Sequence, residues 1–137
     1  MFRYSTIRLH FDRLSIGGIN FLYAITGARI GLSINAVNDV KLYHSGCLTY
    51  SLVCGTFVLA KRVPASDLLL KDEVHLRCFD TVEDFFDLAN WDLNNEAERI
   101  KIANAGMKHV HAEFNCQKIA KYMLDLVETG VYDAPWM

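Results

Sequence analysis

The stretch Ser45-Gly46-Cys47-Leu48-Thr49-Tyr50-Ser51-Leu52-Val53-Cys54-Gly55-Thr56-Phe57-Val58-Leu59-Ala60 decides the fold. Ser45 suits a helix N-cap, because its short oxygen-bearing side chain can accept from the unpaired amides of a first turn. The helix it opens, Gly46 to Cys54, carries Cys47, Leu48, Tyr50, Leu52 and Val53 around most of its circumference, which suits a buried element. Gly55 can end it in a backbone conformation other residues resist. The run Thr56 to Ala60 then has no polar alternation, as expected of a strand covered on both faces in a parallel sheet.

The flanking sequence extends this pattern. Upstream, Ile30-Gly31-Leu32-Ser33-Ile34-Asn35 reads as a strand with apolar residues at 30, 32 and 34, preceded by a helix over Ile19 to Ala28. Residues 3–9 read as a further strand, and Asn35 to Asp39 as a loop in which Asn38 and Asp39 favour turns. Downstream, Val74 to Phe79 alternates as a strand near an edge, with His75 on its polar side or on a cleft wall.

The C-terminal third is helical. Thr81 with Asp84 forms a capping box before a stripe of Val82, Phe85, Phe86, Ala89 and Leu93. Asn95 with Glu98 opens a second helix carrying Ile100, Ala103, Met107 and Val110 on one face. Asn115 caps a third, with Ile119, Met123, Leu126 and Val127 turned inward. Gly106 stands mid-helix at a cost of about 1 kcal/mol relative to alanine, which signals a close packing contact. Alternating strands and helices predict an α/β fold: a parallel sheet of three to four strands with flanking helices and a helical C-terminal third, in one domain over residues 1–137.

Composition narrows the function. The 137 residues are 52% apolar and 22% charged with only two prolines, which excludes a disordered chain. Fourteen basic against sixteen acidic side chains give a net charge of −2, so nothing suggests binding to a nucleic-acid backbone. No apolar run approaches the roughly 20 residues needed to span a bilayer, and the N-terminal Met1-Phe2-Arg3-Tyr4-Ser5 is no secretory leader. The cysteines, Cys47, Cys54, Cys78 and Cys116, form no Cys-x-x-Cys pair. Reduced thiols and a cytoplasmic location are therefore expected. His44 and Cys47 are three apart, but two ligands do not make a zinc site, and no metal is expected. His109 and His111 project to different sides of a helix and read as surface residues.

Three segments carry a resemblance. One is Asn38-Asp39-Val40 through Tyr43-His44-Ser45 and the helix ending in Cys54-Gly55 before a buried strand. Another is Phe79-Asp80-Thr81-Val82-Glu83-Asp84-Phe85. The most specific is Glu98-Arg99-Ile100-Lys101-Ile102-Ala103-Asn104-Ala105-Gly106, followed by Val110 and Phe114. Together they make Ala28 to Phe114 resemble the C-terminal, nucleotide-sugar-binding half of group 1 glycosyltransferases of the GT-B fold, in particular the spore-maturation-protein-like branch. The resemblance implies a Rossmann-like lobe binding a nucleoside-diphosphate sugar as donor substrate, without a further cofactor, for transfer to an acceptor. In such a lobe the helix N-terminus faces the donor diphosphate, and a Ser-x-Arg-x-Phe-Glu pattern runs along the helix. The implied binding residues here are His44, Ser45, Gly46, Cys47, Tyr50 and Gly55. No catalytic residue is implied.

Ser45 and Gly55 match that pattern, whereas Cys47 stands at the arginine position and Tyr50 at the glutamate position. Cysteine carries no fixed positive charge for a leaving phosphate, and tyrosine cannot accept from two ribose hydroxyls as a carboxylate does. Lys41, His44, Lys61 and Arg62 are nearby cations, none at the matching position. The alternative reading is a degenerate, non-catalytic Rossmann-like module serving association or regulation. A small flavodoxin-like or nucleotide-binding domain has no Gly-x-Gly-x-x-Gly or Walker pattern behind it. The resemblance also implies an N-terminally shortened lobe. It predicts an acceptor domain on another chain or segment, and an open sheet edge near Ile30 that invites a second copy or the N-terminal segment.

Overall fold

A computed structural model of the chain describes residues 17–131. Their elements are α1 (Ile19–Thr26), β1 (Gly31–Ser33), α2 (Gly46–Val53), β2 (Val58–Lys61), a 3₁₀ turn (Ser66–Leu68), β3 (Arg77–Phe79), α3 (Val82–Asn94), α4 (Glu96–Glu113) and α5 (Cys116–Thr129). The strands pair in parallel in the order β1-β2-β3, with Gly31 opposite Val58 and Leu59 opposite Arg77. The fold is the expected α/β arrangement: a three-stranded parallel sheet, flanking helices and a helical C-terminal part. The strand expected at residues 3–9 lies outside the described residues.

β2 is central, and its uninterrupted apolar run follows from cover on both faces. Val58 and Ala60 pack with Leu52, Leu76 and Val110. Leu59, with Phe57 just ahead of the strand, packs with Phe79, Ile102 and Ala103 on the other side. α2 lies against β1, β2 and α4. α4 comes close at Gly106, where a Cβ would stand 2.2 Å from the His75 carbonyl oxygen and 3.1 Å from Leu52 Cδ2. The mid-helix glycine is thus explained by the close contact its position suggested.

β1 departs from its sequence pattern. Ser33 and Asn35 are buried, while Leu32 and Ile34 are exposed. The cause is the nearness of α2, since a Cβ at Gly31 would lie 3.1 Å from Ser51 Oγ. No larger side chain fits at Gly31, and Leu32 and Ile34 take the opposite face. Among the described residues β1 pairs with β2 alone.

β3 is shorter than the alternation of Val74 to Phe79 suggests. Lys71 to His75 form a turn, in which the His75 amide donates to the Lys71 carbonyl at 2.9 Å and Glu73 adopts φ 61°. His75 is therefore a turn residue.

The helix starts are largely as expected. Thr81 and Asp84 reciprocate as a capping box at 3.0 and 2.9 Å, and Asn115 Oδ1 accepts from the Lys118 amide at 2.9 Å. Asn95 makes no cap. It also ends α3, and its side-chain amide is committed to the Trp91 carbonyl at 2.8 Å.

The helix faces are rotated from the expected stripes. α3 turns Phe85, Leu88, Ala89 and Asp92 inward and leaves Val82, Phe86 and Leu93 exposed. α4 buries Arg99, Ile102, Ala103, Gly106 and Val110, with Ile100 outside. α5 buries no residue, and Met123 and Val127 are exposed because no described element covers them. No helix among the described residues is long and apolar enough to cross a membrane.

Candidate functional site

At the C-terminal ends of β1 and β2, beside the first turn of α2, lies a cavity of about 180 Å³. Leu48 and Leu52 of α2, Ala60 of β2, Leu70 and Phe114 give it an apolar lining, and Ser33, Asn35, Tyr43, His44 and Lys61 add polar atoms. A concave apolar site with few convergent polar groups is the usual form of a small-molecule pocket.

Asn35 is fixed by its loop. Its amide donates to Asn38 Oδ1 at 3.2 Å, and Asn38 Nδ2 returns a bond to the Asn35 carbonyl at 2.9 Å. Asn38 thus braces the turn. Asn35 Nδ2 points at the Tyr43 carbonyl at 3.5 Å, while its Oδ1 is buried with no partner. A buried acceptor left unpaired costs free energy comparable to a lost hydrogen bond, so it marks a position where a donor would be bound favourably.

The predicted residues divide along α2. Ser45 has extended backbone angles at the N-cap, yet its hydroxyl makes no cap bond and is buried without a partner. Its carbonyl accepts from the Leu48 and Thr49 amides. The Gly46 and Cys47 amides are left without an acceptor among the described residues, as first-turn amides are when no side chain caps them. His44 lines the cavity, with Nδ1 3.2 Å from the Leu42 carbonyl. Cys47 is exposed.

The Tyr50 ring reaches back over the first turn, 3.4 Å from where a Gly46 Cβ would stand, and meets Phe21 of α1 edge-on at 5.7 Å. His44, Ser45, Gly46, Cys47 and Tyr50 are thus neighbours. Gly55 is not with them, since it follows the other end of α2, beyond Val53. It has φ +75°, and Met107 Sδ would lie 3.0 Å from its Cβ.

Two of the cations near the site, Arg62 and Lys61, are already engaged. Arg62 joins Asp72 at 2.7 Å and Asp80 at 3.0 Å, and these bonds hold its guanidinium further above its ordinary range. Lys61 Nζ donates to the Asp80 carbonyl. Cys78 lines the cavity as a neutral thiol, because burial, reinforced by Asp72, pushes it up to about 11.

The Glu98-Arg99 segment proves to be architectural. Arg99 is buried, donating to the Asp92 carbonyl at 3.0 Å and to Glu96 Oε1 at 3.3 Å, and so splices the end of α3 to the start of α4. Asp92, fully buried, pairs with Arg77 Nη1 at 2.8 Å, and the Arg77 guanidinium lies over the Trp91 ring at 4.2 Å. Burial pushes the Asp92 carboxyl above the usual range, opposed by Arg77. Among the described residues no group of three His, Cys, Asp or Glu side chains could hold a metal ion.

Sequence reasoning missed Ser33 and Asn35, which it read as a polar position of the strand and the start of the loop that follows. It read His109 as a surface residue, whereas His109 is half-buried with Nε2 2.8 Å from the Leu69 carbonyl.

No curated protein and no solved structure matches the chain. A family model described as glycosyl transferase-like matches residues 15–125, from just before α1 into α5. That match spans most of the 137 residues and every strand of the sheet. The chain belongs to the glycosyl transferase-like family.

Proposed function

We propose that the chain is the donor-binding lobe of a GT-B-type glycosyltransferase of the spore-maturation-protein-like branch. The first turn of α2 receives the diphosphate of a nucleotide sugar, and the adjoining cavity receives its base. The observation that carries this reading is the juxtaposition of three features within a family of sugar-transfer proteins: unpaired Gly46 and Cys47 amides, the buried, unpartnered Ser45 hydroxyl, and the unpartnered Oδ1 of Asn35, a residue that lines the cavity. Backbone N–H groups at a helix start attract an anion, and a buried acceptor selects a ring bearing an N–H. His44, Ser45, Gly46, Cys47 and Tyr50 contact the donor, while Gly55 fixes the end of α2. The acceptor sits on a separate domain, in another chain or segment. Four free thiols fit a cytoplasmic setting.

Titration with UDP-, GDP-, dTDP- and ADP-sugars tests the reading by thermal shift. A ligand at 100 times its dissociation constant adds about 2.7 kcal/mol of stability. A shift that is lost in Ser45→Ala and Asn35→Leu is expected, and no shift with any of the four at millimolar concentration overturns the reading.

A second reading, a degenerate module that does not catalyse, is favoured by Cys47 and Tyr50 and by the engagement of Arg62 and Lys61 with Asp72 and Asp80. Under it the wild-type chain shows no shift. The Cys47→Arg, Tyr50→Glu double variant gains one if the pocket persists.

A further inference from the structure

The turn ahead of β3 and the end of α4 meet through two histidines. The His75 and His109 rings stack at 4.0 Å between centroids, 14° from parallel. Their hydrogen bonds fix the position of each proton. The Lys71 backbone amide donates to His75 Nδ1 at 3.1 Å, so that nitrogen is bare and the proton of the neutral ring sits on Nε2. His109 Nε2 lies 2.8 Å from the Leu69 carbonyl, which can only accept, so Nε2 of His109 carries a proton. His109 thus ties Leu69 to α4, while His75 braces the turn at Lys71 and stacks on His109. Phe114 closes the far side with its ring edge-on to His109 at 5.7 Å. Leu69 and Leu70, with Ser66 and Leu76 beside them, are also wall residues of the cavity.

The two rings respond differently to a proton. His109 can take one on Nδ1 and keep its bond to Leu69. His75 can take one only on Nδ1, where an N–H would face the Lys71 N–H donor and the bond would be lost. The charged groups around the pair reinforce this asymmetry. From the turn, Lys71 sets a positive charge near His75. From α4, the Glu113 carboxylate interacts with His109 but is engaged by Lys118 of α5 at 2.9 Å. Burial, then His109 and Lys71, hold His75 below the ordinary histidine range.

We propose that His75 and His109 form a proton-sensitive latch on the cavity: His109 fastens Leu69 to α4, neutral His75 braces the same wall at Lys71, and protonation of His75 in mildly acidic solution releases that brace and loosens the Leu69–Lys71 wall. The latch requires no ligand, so it stands or falls separately from the donor-binding reading.

The test is a pH titration of the whole chain by NMR. It follows the ring Cε1–H of both histidines, the Lys71 amide, and the Leu69 and Leu70 methyl groups. The Lys71 amide and both leucine methyls should move together with the His75 ring, at a midpoint below about 6.5. Over the same range the Lys71 amide should lose its protection from solvent exchange. In His109→Gln, which removes the stacked ring, the His75 midpoint should rise toward the ordinary value. A Lys71 amide that does not follow the His75 ring overturns the proposal. So do leucine methyls that stay fixed while His75 titrates, or a His75 midpoint at or above the ordinary value. Should His109→Gln fail to fold, the wild-type titration decides alone.

Discussion

Replacing Gly106 by alanine sets two effects of opposite sign against each other. In an exposed helix interior the change stabilises by about 1 kcal/mol, because glycine has more backbone freedom to lose. In α4 the new Cβ would lie 2.2 Å from the His75 carbonyl oxygen, whereas real Cβ atoms keep at least 3.0 Å. That neighbour is backbone, so α4 and the turn must part by about 0.8 Å. The 2.8 Å bond from His109 Nε2 to the Leu69 carbonyl crosses the same seam, and such a displacement would stretch it beyond hydrogen-bonding range. Overpacking costs about 1–3 kcal/mol and a lost hydrogen bond about 1 kcal/mol. Against the helix gain, the net expectation is a destabilisation of about 2 kcal/mol. In urea, with a slope of about 2 kcal/mol per molar, the midpoint should fall by about 1 M at unchanged slope. Exposed Asn104→Ala on the same helix serves as a control and should raise stability slightly. An unchanged or raised midpoint for Gly106→Ala would refute the close docking of α4 on the His75 turn.

Arg77→Met should cost about 3–5 kcal/mol by stranding the buried Asp92 carboxylate, and Asp92→Leu in the same chain should recover most of it in a double-mutant cycle. Thr81→Ala should cost about 1 kcal/mol in chemical denaturation, by removing the cap on the Asp84 amide. Hydrogen bonds from Thr81 hold Asp84 below the usual carboxylate range. Its contribution is therefore fully present above the unfolded value of about 3.9 and is lost as pH falls through the lower folded value, which acid titration of Thr81→Ala against the parent should show. Gly55→Ala should cost at least about 1 kcal/mol in the same denaturation assay, since φ +75° strains any side chain and Met107 Sδ crowds the new Cβ.

How legible each feature was depends on whether its cause is local. The Thr81–Asp84 box, the Asn115 cap and the apolar run of β2 follow from neighbours in sequence or from cover on both faces, and they were readable. The inward faces of β1, α3 and α4 depend on what approaches them. α2 comes too near Gly31 for a leucine beside it, and Asp92 is buried because Arg77 from another element pairs with it. Period alone marks where a face lies, not which partner will sit against it. The first turn of α2 was legible as a candidate site through Ser45 and the family resemblance. Asn35 was not, since a polar residue at a strand end looks the same whether it faces water or a cavity. Arg99 shows the converse, because the most specific motif in the sequence serves to join two helices.

The inverted register of β1 has a thermodynamic consequence. Side chains alternate with a period of two, so a slip of one residue would send Leu32 and Ile34 inward in place of Ser33 and Asn35. The hollow would then become ordinary core. Keeping it forgoes that packing. The chain thus gives up side-chain packing at one place. A molecule of matching shape and polarity would restore the missing contacts, making the ligand a component of the core.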